Sequence, residues 1–393
     1  MRAGADCTRR RIDVVGPVLL VAALFAAIVA GRFATYHGNP TGFVLFGHAF
    51  TAYIHPPPGA LVNSPDGYDG QFFYLQAKDP LLLNDATVAS FRASTEAFRM
   101  DRVGYPALAW LLAAGQVAAL PWSMLAVNVV VVLGLTAGFA VYARRRGWSG
   151  WWALAAGLLA GFLTATLRDL SDPLAVASML TGLILWQRGR RWWAAALLTA
   201  AVLAREPMTL AVAAVALEAV VRGWRVRREP GAARRTASEA WPVVIVPAAA
   251  FVAWQVYVDA RYGSNVASTS SSSYQAPFVG LIDEVRRTFS LGSRRDILWD
   301  LAYLGLISAG IAASFALVRE KVTVPAVAAV AFGLSLLVVT FGDSWSYTRL
   351  SAPMFAALLL GGLWQRNRAA LLICAAAAVM TAIAPFAPWL AAA

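Results

Sequence analysis

The chain has 393 residues, 59% of them hydrophobic and 14% charged, with a net charge of +12. A soluble domain carries about 25% charged residues, and buried helices need a polar cover that this composition lacks, so a large soluble helical protein is excluded. The basic balance would suggest a nucleic-acid partner in a soluble protein; its distribution along this chain points elsewhere.

The apolar residues come in blocks of roughly 15–22, the rhythm of helices crossing a hydrocarbon core about 30 Å thick. Lipid offers the backbone no hydrogen-bond partner, so such blocks must be helices. Hydropathy and flanking charge predict eleven spans, at 13–32, 123–143, 150–168, 172–187, 191–206, 207–222, 241–259, 298–317, 322–341, 350–365 and 369–390. Thr8-Arg9-Arg10-Arg11 before the first block resembles a signal peptide, but no convincing small-residue cleavage site follows, and the block is expected to stay as an uncleaved span. Cys7 and Cys374 imply no disulfide framework.

Tyr105 to Leu120 is apolar but bracketed by Pro106 and Pro121, and is too short for a comfortable crossing. Laid along the outer surface, it leaves 20 of the 33 Lys and Arg in cytoplasmic segments; as a span it would leave 12. The positive-inside rule selects the surface-lying helix. Of the 21 Asp and Glu, 15 then fall outside. The charge is therefore a topology signal and calls for no nucleic acid. The expectation is an all-α polytopic protein of a bacterial inner (plasma) membrane, with a cytoplasmic N-terminus and an extracytoplasmic active face.

Two outer segments are long enough to fold. The first, 33–122, contains Gly67-Tyr68-Asp69-Gly70-Gln71-Phe72-Phe73-Tyr74 and Arg99-Met100-Asp101-Arg102-Val103-Gly104-Tyr105-Pro106. Asp-Gly reads plainly as a turn. The aromatic run behind it reads as an interfacial anchor that would hold the Asp69 carboxylate at headgroup level, where it could accept a proton from a hydroxyl. The second segment, 260–297, holds the Ser-rich run Ser268–Ser273, read as a tether or lid, and then an amphipathic helix over Phe278–Arg287.

Three short connections add further charge. Arg168-Asp169-Leu170-Ser171-Asp172-Pro173 offers Asp172 as a helix cap before Pro173, whereas Asp169 has no capping duty. Arg205-Glu206-Pro207 has almost no loop, so both charges sit at the membrane surface, either paired with each other or facing a phosphate. Gly342-Asp343-Ser344-Trp345-Ser346-Tyr347-Thr348-Arg349 reads as an aromatic belt, with Arg349 at an outer end where basic residues are scarce. Together the outer connections describe a polar cavity of carboxylates and guanidinium groups, and arginine binds phosphate oxygens in bidentate fashion. His37, His48 and His55 have no metal-ligand spacing, and no phosphate-cradling Gly-rich loop, nucleophile elbow or zinc motif is present.

The Tyr68-Asp69-Gly70-Gln71 loop, the Arg102…Tyr105-Pro106 segment, the Arg168-Asp169 turn and the Arg205-Glu206-Pro207 turn together resemble the GT-C superfamily of integral-membrane glycosyltransferases. The likeness is nearest to bacterial members related to the phosphatidylinositol-glycan mannosyltransferase and lipopolysaccharide-core transferase branches. It covers roughly residues 10–225, and residues 226–393 share only hydrophobic helical character. The resemblance implies a GT-C-like catalytic module over 1–225 and a C-terminal helical region over 226–393. It implies a polyprenyl-phosphate-linked sugar as donor and a glycan or lipid acceptor, with no cofactor or metal. It also makes Asp69 the general base, supported by Asp169 or Asp172. Gly70 stands where some members carry a second acid, which weakens a metal site further. Tyr68, Gln71, Tyr74, Arg102, Arg168, Arg205, Glu206, Tyr347 and Arg349 are the candidate donor- and phosphate-binding residues. A transporter or lipid flippase is the alternative.

Overall fold

The computed structural model describes residues 2–159, 161–228, 231–266, 276, 278–290, 294–337 and 344–383. Helices dominate, and the strands among these residues are two short parallel ones, β1 (Phe46–Gly47) and β2 (Val62–Ser64). The chain opens with α1 (Arg2–Thr35), followed by a folded cap of α2 (Thr41–Val44), α3 (Thr51–Ile54), α4 (Gly70–Lys78), α5 (Asp85–Ser94), a 3₁₀ turn at Ala97–Asp101 and α6 (Gly104–Leu112). The bundle continues with α7 (Leu120–Arg145), α8 (Ala153–Gly157), α9 (Phe162–Thr166), α10 (Asp172–Gln187), α11 (Arg191–Ala204), α12 (Thr209–Arg225) and α13 (Ala232–Tyr262). It ends with α14 (Val279–Ser290), α15 (Arg294–Glu320), α16 (Val324–Leu336), α17 (Ser344–Gln365) and α18 (Arg368–Ile383).

Five helices are long and apolar enough to cross a membrane: Ile12–Thr35, Val117–Arg145, Glu206–Arg225, Arg235–Tyr262 and Ile297–Glu320. They mark the chain as membrane-embedded. Shorter apolar helices fill the positions predicted at 172–187, 191–206, 322–341 and 369–390, although 338–341 and 384–390 lie outside the described residues, as do Ser268–Ser273 and Asp343. α17 is the axis of the assembly, buried almost continuously from Ser351 to Leu363. A helix apolar on every face belongs in such a position. α10 and α11 pack closely because Gly182 presents no side chain to Leu198, whose Cγ lies 3.0 Å from where a Cβ would stand.

Three sequence expectations change. The block 150–168 is not one helix but two short ones, α8 ending at Gly157 and α9 beginning at Phe162. Gly161 has φ +85°, and a Cβ there would lie 2.5 Å from Cα of Arg349, so the break is where α17 presses into the bundle. Residues on both sides are buried in protein, as irregular backbone at membrane depth requires. The predicted surface helix 105–120 shrinks to α6, 9 residues long. At about 1.5 Å per residue it is far too short to span. Leu111 and Leu112 on α6 remain exposed, an apolar face suited to a membrane surface. The expected amphipathic helix is present as α14, burying Glu284 and Thr288 and exposing Ile282 and Phe289, with Phe278 exposed just before it.

The aromatic run after Asp69 does not anchor in lipid. Phe72, Phe73 and Tyr74 are the core of the cap, in edge-on contacts with Phe50, Tyr105 and Phe46 at ring-centroid distances of 5.1, 5.7 and 5.3 Å. Their burial fixes the first turn of α4, and with it the position of Asp69.

A candidate carboxylate–guanidinium site

Asp69 immediately precedes α4 and makes no side-chain cap to it. Its carboxylate is thus available to other partners. Gly70 follows because the Arg168 and Val44 carbonyl oxygens would lie 2.4 and 2.8 Å from a Cβ there. Only glycine lets the 168–169 turn pack under the loop, which ties the first and second motifs together.

Around Asp69 four distant parts of the chain converge. Arg99 donates from Nη2 to Oδ1 at 2.7 Å and from Nε at 3.2 Å. Arg349 donates from Nη1 to Oδ2 at 3.3 Å, and Arg102 Nη1 lies 3.9 Å from the same oxygen. Arg349 also reaches Asp172, Nε to Oδ1 at 3.7 Å, and Asp172 forms an ion pair with Arg205. Arg102 donates to both carboxylate oxygens of Glu206 along one edge of its guanidinium, at 2.9 Å from Nε and 2.7 Å from Nη2. Arg99 pairs with Glu96 as well, and stacks on Phe72 and Phe98 at 4.6 and 4.5 Å. Arg168 lies 4.3 Å over the Tyr68 ring, which Arg349 approaches to 5.7 Å from its own guanidinium carbon. The result is a chain of alternating charge running Glu96, Arg99, Asp69, Arg349, Asp172, Arg205, with Arg102 joining Asp69 to Glu206.

These pairings settle what the sequence left open. Arg205 and Glu206 do not pair with each other, and Asp172 makes no side-chain cap to α10. Asp69 is 14% exposed, as shielded as the arginines around it. Burial by itself would raise its pKa, but the charges of Arg99, Arg349 and Arg102 outweigh it and hold the carboxyl well below the usual carboxylate range. The same low dielectric strengthens each pairing and makes a lone charge costly.

Other predicted site residues lie elsewhere. Asp169 is fully buried at φ 48°, and neither carboxylate oxygen has a hydrogen-bond partner among the described residues. Burial lifts its carboxyl well above the usual range. It sits in the turn beneath Asp69 and does not reach the charged chain. Gln71 is a clamp inside the cap, accepting from Gly47 N at 3.0 Å and donating to Asp66 O at 2.9 Å. Tyr74 is buried, and its hydroxyl has no hydrogen-bond partner among the described residues. Burial pushes that hydroxyl up to about 12. Tyr347 is buried against Tyr303 at 5.5 Å, in a separate polar group with Asp300, Glu284 and Arg287.

This difference is testable. Gln71→Ala leaves the buried Gly47 N–H without its acceptor and is expected to lower stability by ~1–3 kcal/mol. Tyr74→Phe removes a hydroxyl that makes no hydrogen bond among the described residues and is expected to leave both thermal unfolding and activity unchanged. A Tyr74→Phe variant with impaired activity would return that side chain to the site.

Two features escaped sequence reasoning. Arg99 is the closest partner of Asp69, yet only its 3₁₀ turn places it beside Arg102. Asp101 is buried, and burial together with the Glu206 charge pushes its carboxyl up to about 7. A cavity of about 350 Å³ also adjoins the site. Arg205 and Glu206 stand at its polar end, and Phe251, Phe332, Leu336 and Leu350 from α13, α16 and α17 line its apolar length. Among the described residues no three His, Cys, Asp or Glu are grouped to hold a metal. Comparison with protein-family models, with curated proteins and with solved structures finds no match to this chain, so what the site does rests on its geometry.

Proposed function

We propose that the protein is an inverting membrane glycosyltransferase that moves a sugar from a polyprenyl-phosphate donor to an acceptor hydroxyl on a glycan or lipid. In this reading the chain crosses a bacterial inner membrane eleven times, with its N-terminus cytoplasmic and the Asp69 site facing outward. The observation that carries it is one carboxylate held among three guanidinium groups, next to an apolar groove that begins at Arg205 and Glu206. A lipid phosphate needs both parts: positive forks for the head and an oily channel for the chain.

Asp69 takes the acceptor's hydroxyl proton as that oxygen forms its bond to the anomeric carbon. The bond from that carbon to the phosphate oxygen breaks, and the electron pair leaves on the phosphate. The donor phosphodiester carries one negative charge and the released lipid phosphate gains another. Arg102, Arg205 and Arg349 therefore interact more strongly with the transition state than with the bound donor. A carboxylate clamped by three arginines is a feeble base, so its partners must be drawn off. The arriving phosphate competes for Arg102 and Arg349, which returns basicity to Asp69 only when donor is bound.

That coupling sets the pH dependence. The free enzyme's Asp69 pKa is depressed, so its base form persists as pH falls. The acid limb of kcat/KM is expected below the ordinary aspartate value of about 3.9, and the acid limb of kcat, which reports the donor complex, is expected above it. A kcat/KM limb near neutrality would remove Asp69 from the role and point to Asp101.

A transporter or lipid flippase is the second reading. The break between α8 and α9 favours it, since interrupted helices line many transport sites. Residues 157–166 contain no ionisable side chain, however, and the charges gather where helices begin. Sealed vesicles assayed in parallel for transfer of radiolabelled sugar and for uptake separate the two. Uptake without transfer would reject the enzyme.

A further inference from the structure

The end of the bundle opposite Asp69 holds a second built cavity. α10 begins at Asp172 in the site and runs 16 residues to Gln187, about 24 Å away at ~1.5 Å per residue. α17 likewise runs from Arg349 to Trp364. At that far end a cavity of about 560 Å³ is lined by Tyr142, Arg145, Arg146, Arg188, Arg190 and Trp364, with no acidic side chain in its wall. Nearby basic residues at the same end are neutralised, Arg144 by Asp13 and Arg222 by Glu218. Among the described residues, none of the four cavity arginines has an ion-pair partner.

Aromatic rings orient two of them. The Arg146 guanidinium lies 3.6 Å from the Trp364 ring centroid and 5.7 Å from that of Tyr142, and Arg188 lies 5.5 Å from Tyr142. Arg146 turns one N–H edge to the Tyr142 hydroxyl, and contact with the ring faces leaves its other edge and those of Arg188 for oxygen acceptors. A second cavity of about 580 Å³ continues from the first, sharing Tyr142, Ile184, Leu185 and Arg188, and runs along the membrane-embedded length of α7. Gly134 and Gly138 open its wall, with nothing within 4 Å of where their Cβ atoms would be.

We propose that this joined cavity binds an anionic phospholipid, with its headgroup phosphate on Arg146 and Arg188 and an acyl chain along Gly134 and Gly138. Charge complementarity favours an anion, and the apolar continuation into the membrane favours one carrying a chain. Basic pockets between helices at a membrane face recognise such headgroups. The site is independent of the glycosyl-transfer reading and lies on the opposite membrane face.

Native mass spectrometry of the full-length protein in detergent, with phosphatidylglycerol or phosphatidylcholine added, tests it. Both lipids offer a phosphate, but the choline cation of the second is repelled by the four arginines, so the anionic lipid is expected to bind about tenfold more tightly, and R146Q/R188Q is expected to erase the difference. Gly138→Leu fills the groove from an open helix face, so it keeps the test available if the double variant fails to assemble. It is expected to weaken phosphatidylglycerol about tenfold while leaving inorganic phosphate without effect on either form. Equal retention of the two lipids, displacement by inorganic phosphate, or a lipid-insensitive dimer occupying the face would each overturn the proposal.

Discussion

Asp69→Asn is expected to lower sugar transfer by ~10²–10⁴-fold, the contribution of a positioned general base, without loosening the donor. Asparagine retains an oxygen for Arg99 but cannot take the acceptor's proton. It also removes the anion that holds Arg99, Arg102 and Arg349. Those guanidinium groups then face the donor phosphate with one competing carboxylate fewer, Glu96, Glu206 and Asp172 remaining. Donor affinity, read by equilibrium binding of the radiolabelled lipid, should therefore hold or tighten while turnover collapses. A folding defect would reduce both together. If the variant kept turnover within about tenfold of the native protein while binding donor normally, Asp69 would be a structural counter-ion and the catalytic reading would fail.

The parts of this arrangement legible in the sequence are those governed by local composition. The predicted span 172–187 coincides with α10, because an Asp-Pro start and a basic stop bracket a uniformly apolar run. Asp69, Arg102, Arg205 and Arg349 stand out as charges where apolar blocks end. Their pairings were not legible, because each closes a loop of tens to hundreds of residues; Arg349 and Asp69 are 280 apart. The break between α8 and α9 has the same origin. Nothing in the run Leu158-Leu159-Ala160-Gly161 forbids a helix as strongly as the Arg349 backbone pressing on Gly161 does. Likewise Phe72 to Tyr74 read as interfacial anchors until the cap closes over them. Gln71 read as a ligand contact because its partners, Gly47 and Asp66, are backbone groups with no signature of their own.

Arg349→Gln is expected to cost ~10²–10³-fold in kcat, the usual loss when one preorganised donor to a developing anion is removed. Arg349 links the Asp69 and Asp172 halves of the charged chain through an ion pair to each, and its backbone rests on Gly161. Glutamine keeps a donor near Asp69 but brings no charge to the leaving phosphate. Because that phosphate gains charge only as its bond to the sugar breaks, the loss should fall on kcat more than on donor affinity. A second consequence separates this role from simple scaffolding. With one of its three cations gone, Asp69 becomes a stronger base, and the acid limb of kcat/KM should move upward from its depressed position. Lysine at 349 restores a point charge without the fork that spans Asp69 and Asp172, and should recover part of the rate. A variant whose kcat fell with no movement of the acid limb, and which lysine did not rescue at all, would mean that Arg349 holds α17 in place and takes no part in the chemistry.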